Sequence, residues 1–100
     1  MTEQPVTFIN VLEVPPARQR ELVDLIVEGA ETVIRQRPGF DGLTVFASLD
    51  GTGVVSCARW QSAEDAKATQ ADPAAAAHAG RIAAIAQTRP AVYRLTAEVR

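Results

Sequence analysis

Cysteine, histidine, tryptophan, tyrosine and methionine each occur once in this 100-residue chain, and these scarcities remove whole classes of chemistry. A single cysteine, Cys57, leaves no internal disulfide, and one cysteine with one histidine, His78, falls short of the four ligands of a structural zinc site. No run of lysine or arginine occurs and the net charge is -2, so the cationic footprint needed for phosphate backbones is missing and no nucleic-acid partner is expected. No apolar run approaches the roughly 20 residues of a membrane span, so no membrane partner is expected. Met1 to Pro5 lacks a basic segment followed by an apolar one, and is expected to be a short N-terminal tail of an unprocessed cytoplasmic protein. A Ser-His-Asp set, a phosphate-binding loop, a dinucleotide glycine fingerprint and a paired-histidine motif are all lacking. Gly39-Phe40-Asp41-Gly42 has two glycines three apart but no strand-to-helix context, and reads as a turn.

What is present describes an ordinary globular chain: 47% apolar and 22% charged residues, of a length that builds one core, so residues 1–100 are read as one domain. Val6 to Val14 reads as a first strand, stopped by Pro15-Pro16, which also presets a helix start. Leu22, Leu25, Ile26, Gly29, Ala30 and Val33 recur at spacings of three and four, predicting an amphipathic helix that ends near Arg35 to Gly39. Leu43–Leu49 and Val54–Trp60 read as strands joined by the turn Asp50-Gly51-Thr52-Gly53. Ser62 followed by Asp65 marks a helix start, Asp72-Pro73 interrupts the helix, and Ala74 to Gln87 continues it. Arg89-Pro90 closes that piece, and the alternation of Tyr93, Leu95, Ala97 and Val99 predicts a fourth strand over Val92–Val99.

The order strand, helix, strand, strand, helix, strand predicts an α+β, ferredoxin-like βαββαβ fold: a four-stranded antiparallel sheet, order 4-1-3-2, with helices on one face. The other face should then be polar in a monomer. Instead Ile9, Val11, Phe46, Val55 and Cys57 sit there, so a second copy is expected to cover it, giving a homodimer.

Five residues remain as candidates for chemistry. Strand alternation puts Asn10 on the face of Phe8 and Leu12, where an amide costs roughly 1–3 kcal/mol unless the protein or a ligand bonds it. Trp60 ends a central strand, either as core packing or as a wall of the same region. His78 shares a helix face with Ile82 and Ile85, so the imidazole points inward, either bonded in the core or lining a cavity. Arg81 reads as a solvated charge or a ligand contact, and Tyr93 as a core residue with a bonded hydroxyl or a substrate contact. The alanines from Ala74 to Ala86 either leave a cavity or permit close packing.

The order of elements, Asn10 in the first strand, Pro38-Gly39-Phe40 before the second, and Trp60-Gln61-Ser62-Ala63-Glu64-Asp65-Ala66 entering the second helical region resemble the antibiotic biosynthesis monooxygenase family, over about Val6 to Val99. The resemblance implies a dimeric ferredoxin-like α+β barrel with a pocket between sheet and helices. In its aromatic-polyketide branch, anthrones are oxidised to quinones by dioxygen without metal, flavin or other cofactor, and the residues implicated match Asn10 and Trp60. On that implication Asn10 bonds a substrate oxygen as negative charge develops, and Trp60 packs on the polycycle. His78 and Arg81 would move a proton or anchor a phenolate, with Tyr93 a further substrate contact. A sister branch degrades haem with a strand-one Asn, a helix His as iron ligand and a Trp shortly before it; here Ala66 to Ala77 holds no aromatic residue, and Trp60 lies 18 positions before His78. A non-catalytic ligand-binding dimer of the same fold is the third alternative.

Overall fold

The structure, a computed structural model, describes residues 4–100; residues 1–3 of the expected N-terminal tail lie outside the described residues. Strand β1 (Val6–Glu13) is followed by a single 3-10 turn at Pro16–Arg18, where proline occupies the first position, and then by α1 (Gln19–Thr32). A second short turn, Ile34–Gln36, leads to β2 (Phe40–Ala47), which a hairpin joins to β3 (Gly53–Trp60). Helices α2 (Ala63–Gln70) and α3 (Pro73–Ala83) precede β4 (Gln87–Tyr93). The sheet runs β2-β3-β1-β4, which is the expected 4-1-3-2 read from the other edge, and all its pairings are antiparallel.

Local chemistry accounts for the helix starts. The Ser62 hydroxyl accepts a hydrogen bond from the Asp65 backbone N–H at 3.1 Å and opens α2. The interruption at Asp72-Pro73 is a new helix start: the Asp72 carboxylate accepts from the Ala75 N–H at 3.1 Å and Pro73 takes the first helical position. Two elements end elsewhere than expected. Helix α3 stops at Ala83, short of Gln87, and β4 runs over Gln87–Tyr93 in place of Val92–Val99. The register explains both, because Gln87 pairs with Glu13 and Tyr93 with Thr7, so β1 has almost no strand left beyond Tyr93 to pair with. Pro90 fits inside β4 because β4 is an edge strand, where a missing N–H is tolerated. The second strand also starts earlier than Leu43, at Phe40, through an irregularity between Phe40 and Gly42.

The buried residues of the strands, Val6, Leu12, Val54, Ala58 and Trp60, all lie on one face, against the helices. They fall into two clusters. One gathers Leu12, Val14 and Val54 with Leu22, Ile26 and Ile82; the other gathers Val6, Ala58, Trp60 and Ala66, with Phe8 and Phe40 against them. The site lies between these clusters. On the opposite face Phe46 and Tyr93 are 57% and 48% exposed, so the apolar character foreseen for that face is present and uncovered within the chain.

Candidate functional site

A cavity of about 410 Å³ separates the two core clusters, within the range of small-molecule sites. Leu12, Ile26 and Ile82 of the first cluster, Trp60, Ala58 and Ala66 of the second, and Ala75, Ala76 and His78 of α3 line it. Thr88 and Pro90, both exposed, bring the edge strand to its mouth. No Asp, Glu, Lys or Arg lines it. Among the described residues, no three His, Cys, Asp or Glu side chains cluster as metal ligands.

Three of the five expected residues, Asn10, Trp60 and His78, stand on these walls. Asn10 lies in the row Pro90, Asn10, Ser56, Val45 that crosses the sheet on its helix-covered face. Its Oδ1 accepts the Arg89 backbone N–H at 3.1 Å. The protein therefore satisfies the acceptor half of the amide and leaves the two Nδ2 hydrogens without a protein partner among the described residues. Trp60 is 3% exposed, its ring meets Phe40 edge-to-face with centroids 5.5 Å apart and planes at 72°, and it also lines the cavity.

His78 is 6% exposed, and its Nδ1 is fully buried with no hydrogen-bond partner among the described residues. The imidazole is pressed against Gly29 of α1, where a Cβ would overlap the ring. Burial lowers its pKa below 6.5, the positive charge of Arg81 lowers it further, and Glu28 opposes both weakly, so the ring is neutral at pH 7. Arg81 itself is exposed on α3 and does not line the cavity; it reaches the site through its charge. Tyr93 pairs with Thr7 on the opposite face of the sheet and does not line the cavity either. The substrate contacts expected of Arg81 and Tyr93 are thus not available within one chain.

Ser56 and Thr88 line the cavity but do not stand out in the sequence. Ser56 becomes visible only when the β1–β3 register sets it opposite Asn10. Thr88 is hidden by placing the fourth strand five residues too late, which assigns it to a helix end.

The sequence profile described as antibiotic biosynthesis monooxygenase matches residues 5–81. The chain is 38% identical over 90 residues, 90% of its length and 80% of the relative's, to a tetracenomycin-F1 monooxygenase from Streptomyces glaucescens. A monooxygenase from the gene ActVA-Orf6 of Streptomyces coelicolor, solved with nanaomycin D, superposes with a TM-score of 0.86 at 27% identity, covering 97% of this chain and 92% of that one. SnoaB, a cofactor-independent oxygenase from Streptomyces nogalater, superposes with a TM-score of 0.82 at 23% identity, covering 96% and 97%, and shows the same fold. The profile match over most of the chain and the 38% identity across 80% of that relative establish that this chain belongs to the antibiotic biosynthesis monooxygenase family.

Proposed function

We propose that this chain is a cofactor-independent monooxygenase that oxidises an aromatic polyketide-type anthrone to the quinone with dioxygen, inside the cavity between sheet and helices. The observation that carries the reading is a mainly apolar cavity, lined among the described residues by no Asp, Glu, Lys or Arg, in which the Asn10 amide and a neutral imidazole stand, in a chain 38% identical to a tetracenomycin-F1 monooxygenase. Apolar walls and the Trp60 ring suit a flat polycycle and exclude water from it. Neutral His78 accepts a proton from the anthrone methylene, and the negative charge spreads to the carbonyl oxygen, where the Asn10 amide N–H groups meet it. The carbanion itself reduces dioxygen, one electron at a time, and the two radicals join as a peroxide. Protonated by the imidazolium, the peroxide loses water together with the remaining methylene proton, so one anthrone and one dioxygen give one quinone and one water.

The alternative haem group fits this cavity poorly. Among the described residues, no lysine or arginine lines it to pair with two propionates. We read the enzyme as a cytoplasmic homodimer whose second copy covers the apolar sheet face. Oxygen uptake with 1,8-dihydroxyanthrone in excess chelator tests the reaction: one dioxygen consumed per anthrone, faster than buffer, is expected. A rate equal to buffer sinks it.

A further inference from the structure

The corner between α2 and α3 carries an ion pair that the reaction above leaves unused. Asp72 opens α3 with one carboxylate oxygen, Oδ2, which accepts the Ala75 N–H. Its other oxygen, Oδ1, faces Arg37 Nη1 at 3.3 Å, longer than the about 2.7–2.9 Å of a tight charge-assisted hydrogen bond. Arg37 Nε is fully buried and has no hydrogen-bond partner among the described residues. An arginine gains most from a carboxylate when two N–H groups bond it, and a buried charged donor left unpaired is costly. A closer approach of the corner to Arg37 is therefore favourable for the pair.

The surroundings fix what the corner moves against. Arg37 lies in a connector held on both sides, its N–H donating to the Ile34 carbonyl at 3.0 Å and its carbonyl accepting the Phe40 N–H at 3.3 Å. Two residues on, Gly39 has a left-handed φ of 84°, and a Cβ there would overlap the Asp65 carboxylate. The Gly39 carbonyl accepts the Gln61 N–H at 2.9 Å, so the start of α2 is fastened to the same connector. Beyond the corner, α3 is held on α1 by the His78 ring against Gly29 and by Ile82 in the core. Between these fixed points α2 buries only Ala66 and Thr69, so little apolar surface holds it down. Yet Ala66, Thr69 and Gln70 of α2 and Ala75 and Ala76 of α3 line the cavity.

We propose that Arg37 and Asp72 form a clasp that closes this wall on a bound molecule: the α2–α3 corner draws in, Arg37 Nε joins Nη1 on the Asp72 carboxylate, and the small side chains of the wall press on the ligand. A ligand gains those apolar contacts only when the wall approaches, which is the differential affinity that shifts the corner. Arg37 does not line the cavity and is a positioning residue that acts through Asp72. The clasp rests on the proposed function in taking the occupant to be a flat aromatic polycycle.

The probe is 1,8-dihydroxyanthraquinone, which does not consume dioxygen; its binding and release are followed by stopped-flow quenching of Trp60, the only tryptophan, on the cavity wall. In the unaltered enzyme a fast step that scales with probe concentration should precede a slower closing step that does not. Asp72→Asn keeps an equally good helix cap and removes the charge, and Arg37→Gln removes the other half of the pair. Each should speed probe release by about ten-fold and leave the entry rate within about three-fold, because the clasp acts after entry. The double variant should release the probe no faster than either single one, since both remove one contact. Amide hydrogen exchange over Ala63–Gln70 should slow on probe binding in the unaltered enzyme and not in Arg37→Gln. Asp72→Asn alone serves if Arg37→Gln fails to fold. Release unchanged in the single variants, or additive in the double one, overturns the clasp while leaving the cavity's function standing. Absence of Trp60 quenching in the unaltered enzyme overturns the aromatic-ligand reading and the clasp with it.

Discussion

Of the side chains that line the cavity among the described residues, His78 alone is ionisable, and its charge follows from where α3 puts it. Burial comes first, Arg81 second, and together they lower its pKa in the fold below the 6.5 of an open chain. Above pH 6.5 both folded and unfolded chains hold His78 neutral. As pH falls below 6.5 the unfolded chain takes up the proton first, binds more protons than the native state, and stability is lost down to the folded pKa. Urea unfolding between pH 7.5 and 5 should therefore show a steeper loss of stability for the native sequence than for His78→Gln, and parallel slopes would contradict the assignment. In turnover, the acid limb of kcat/KM should bend at a pH below 6.5, because the base must be neutral. At this scale the sequence was informative in part. The spacing of His78 with Ile82 and Ile85 is enough to turn the imidazole inward, because helical periodicity is local. The question Asn10 poses, protein partner or ligand, has no local answer: its acceptor is met by Arg89, 79 positions away.

At the scale of elements, the contact between α1 and α3 is made by a missing side chain. Gly29 is buried, and the His78 ring fills the space a Cβ would take. Gly29→Ala should gain up to about 1 kcal/mol of helix propensity and lose roughly 1–3 kcal/mol to overpacking, a net loss of about 1 kcal/mol, with the ring displaced and activity reduced. Gly80, on exposed α3 surface with nothing within 4 Å of an added Cβ, is the control: Gly80→Ala should be stabilising by about 0.5–1 kcal/mol. Urea midpoints of the two variants moving in the same direction would show that the His78–Gly29 contact does not constrain the helices. Elements marked by local chemistry are legible in sequence, as Ser62 and Asp72 at their helix starts show. The limits of β4 are not, because alternation continues through Leu95, Ala97 and Val99, and only the length of β1 decides that pairing ends at Tyr93.

At the scale of the molecule, two unsatisfied apolar features belong together. The sheet face carrying Ile9, Val11, Val55 and Cys57 is covered by no helix, and Phe46 on its edge strand is 57% exposed. Beyond β4, residues 94–100 leave the sheet fully exposed, with Leu95 at 72% and Val99 at 97%. Such alternation with nothing to bury it is the pattern of a strand whose partner lies in another chain. A second copy in a twofold arrangement would supply both a sheet to pack on and a surface for the segment, and stable association requires burying about 800 Å² from each chain. Sedimentation of residues 1–100 should give twice the 10.7 kDa chain mass. Phe46→Glu, which places a charge on the uncovered apolar face, and removal of residues 94–100, which withdraws the segment, should each shift the protein toward the monomer and lower its thermal midpoint. A monomer at micromolar concentration in the unaltered protein would refute the dimer, and a full dimer after removal of 94–100 would confine the interface to the sheet face.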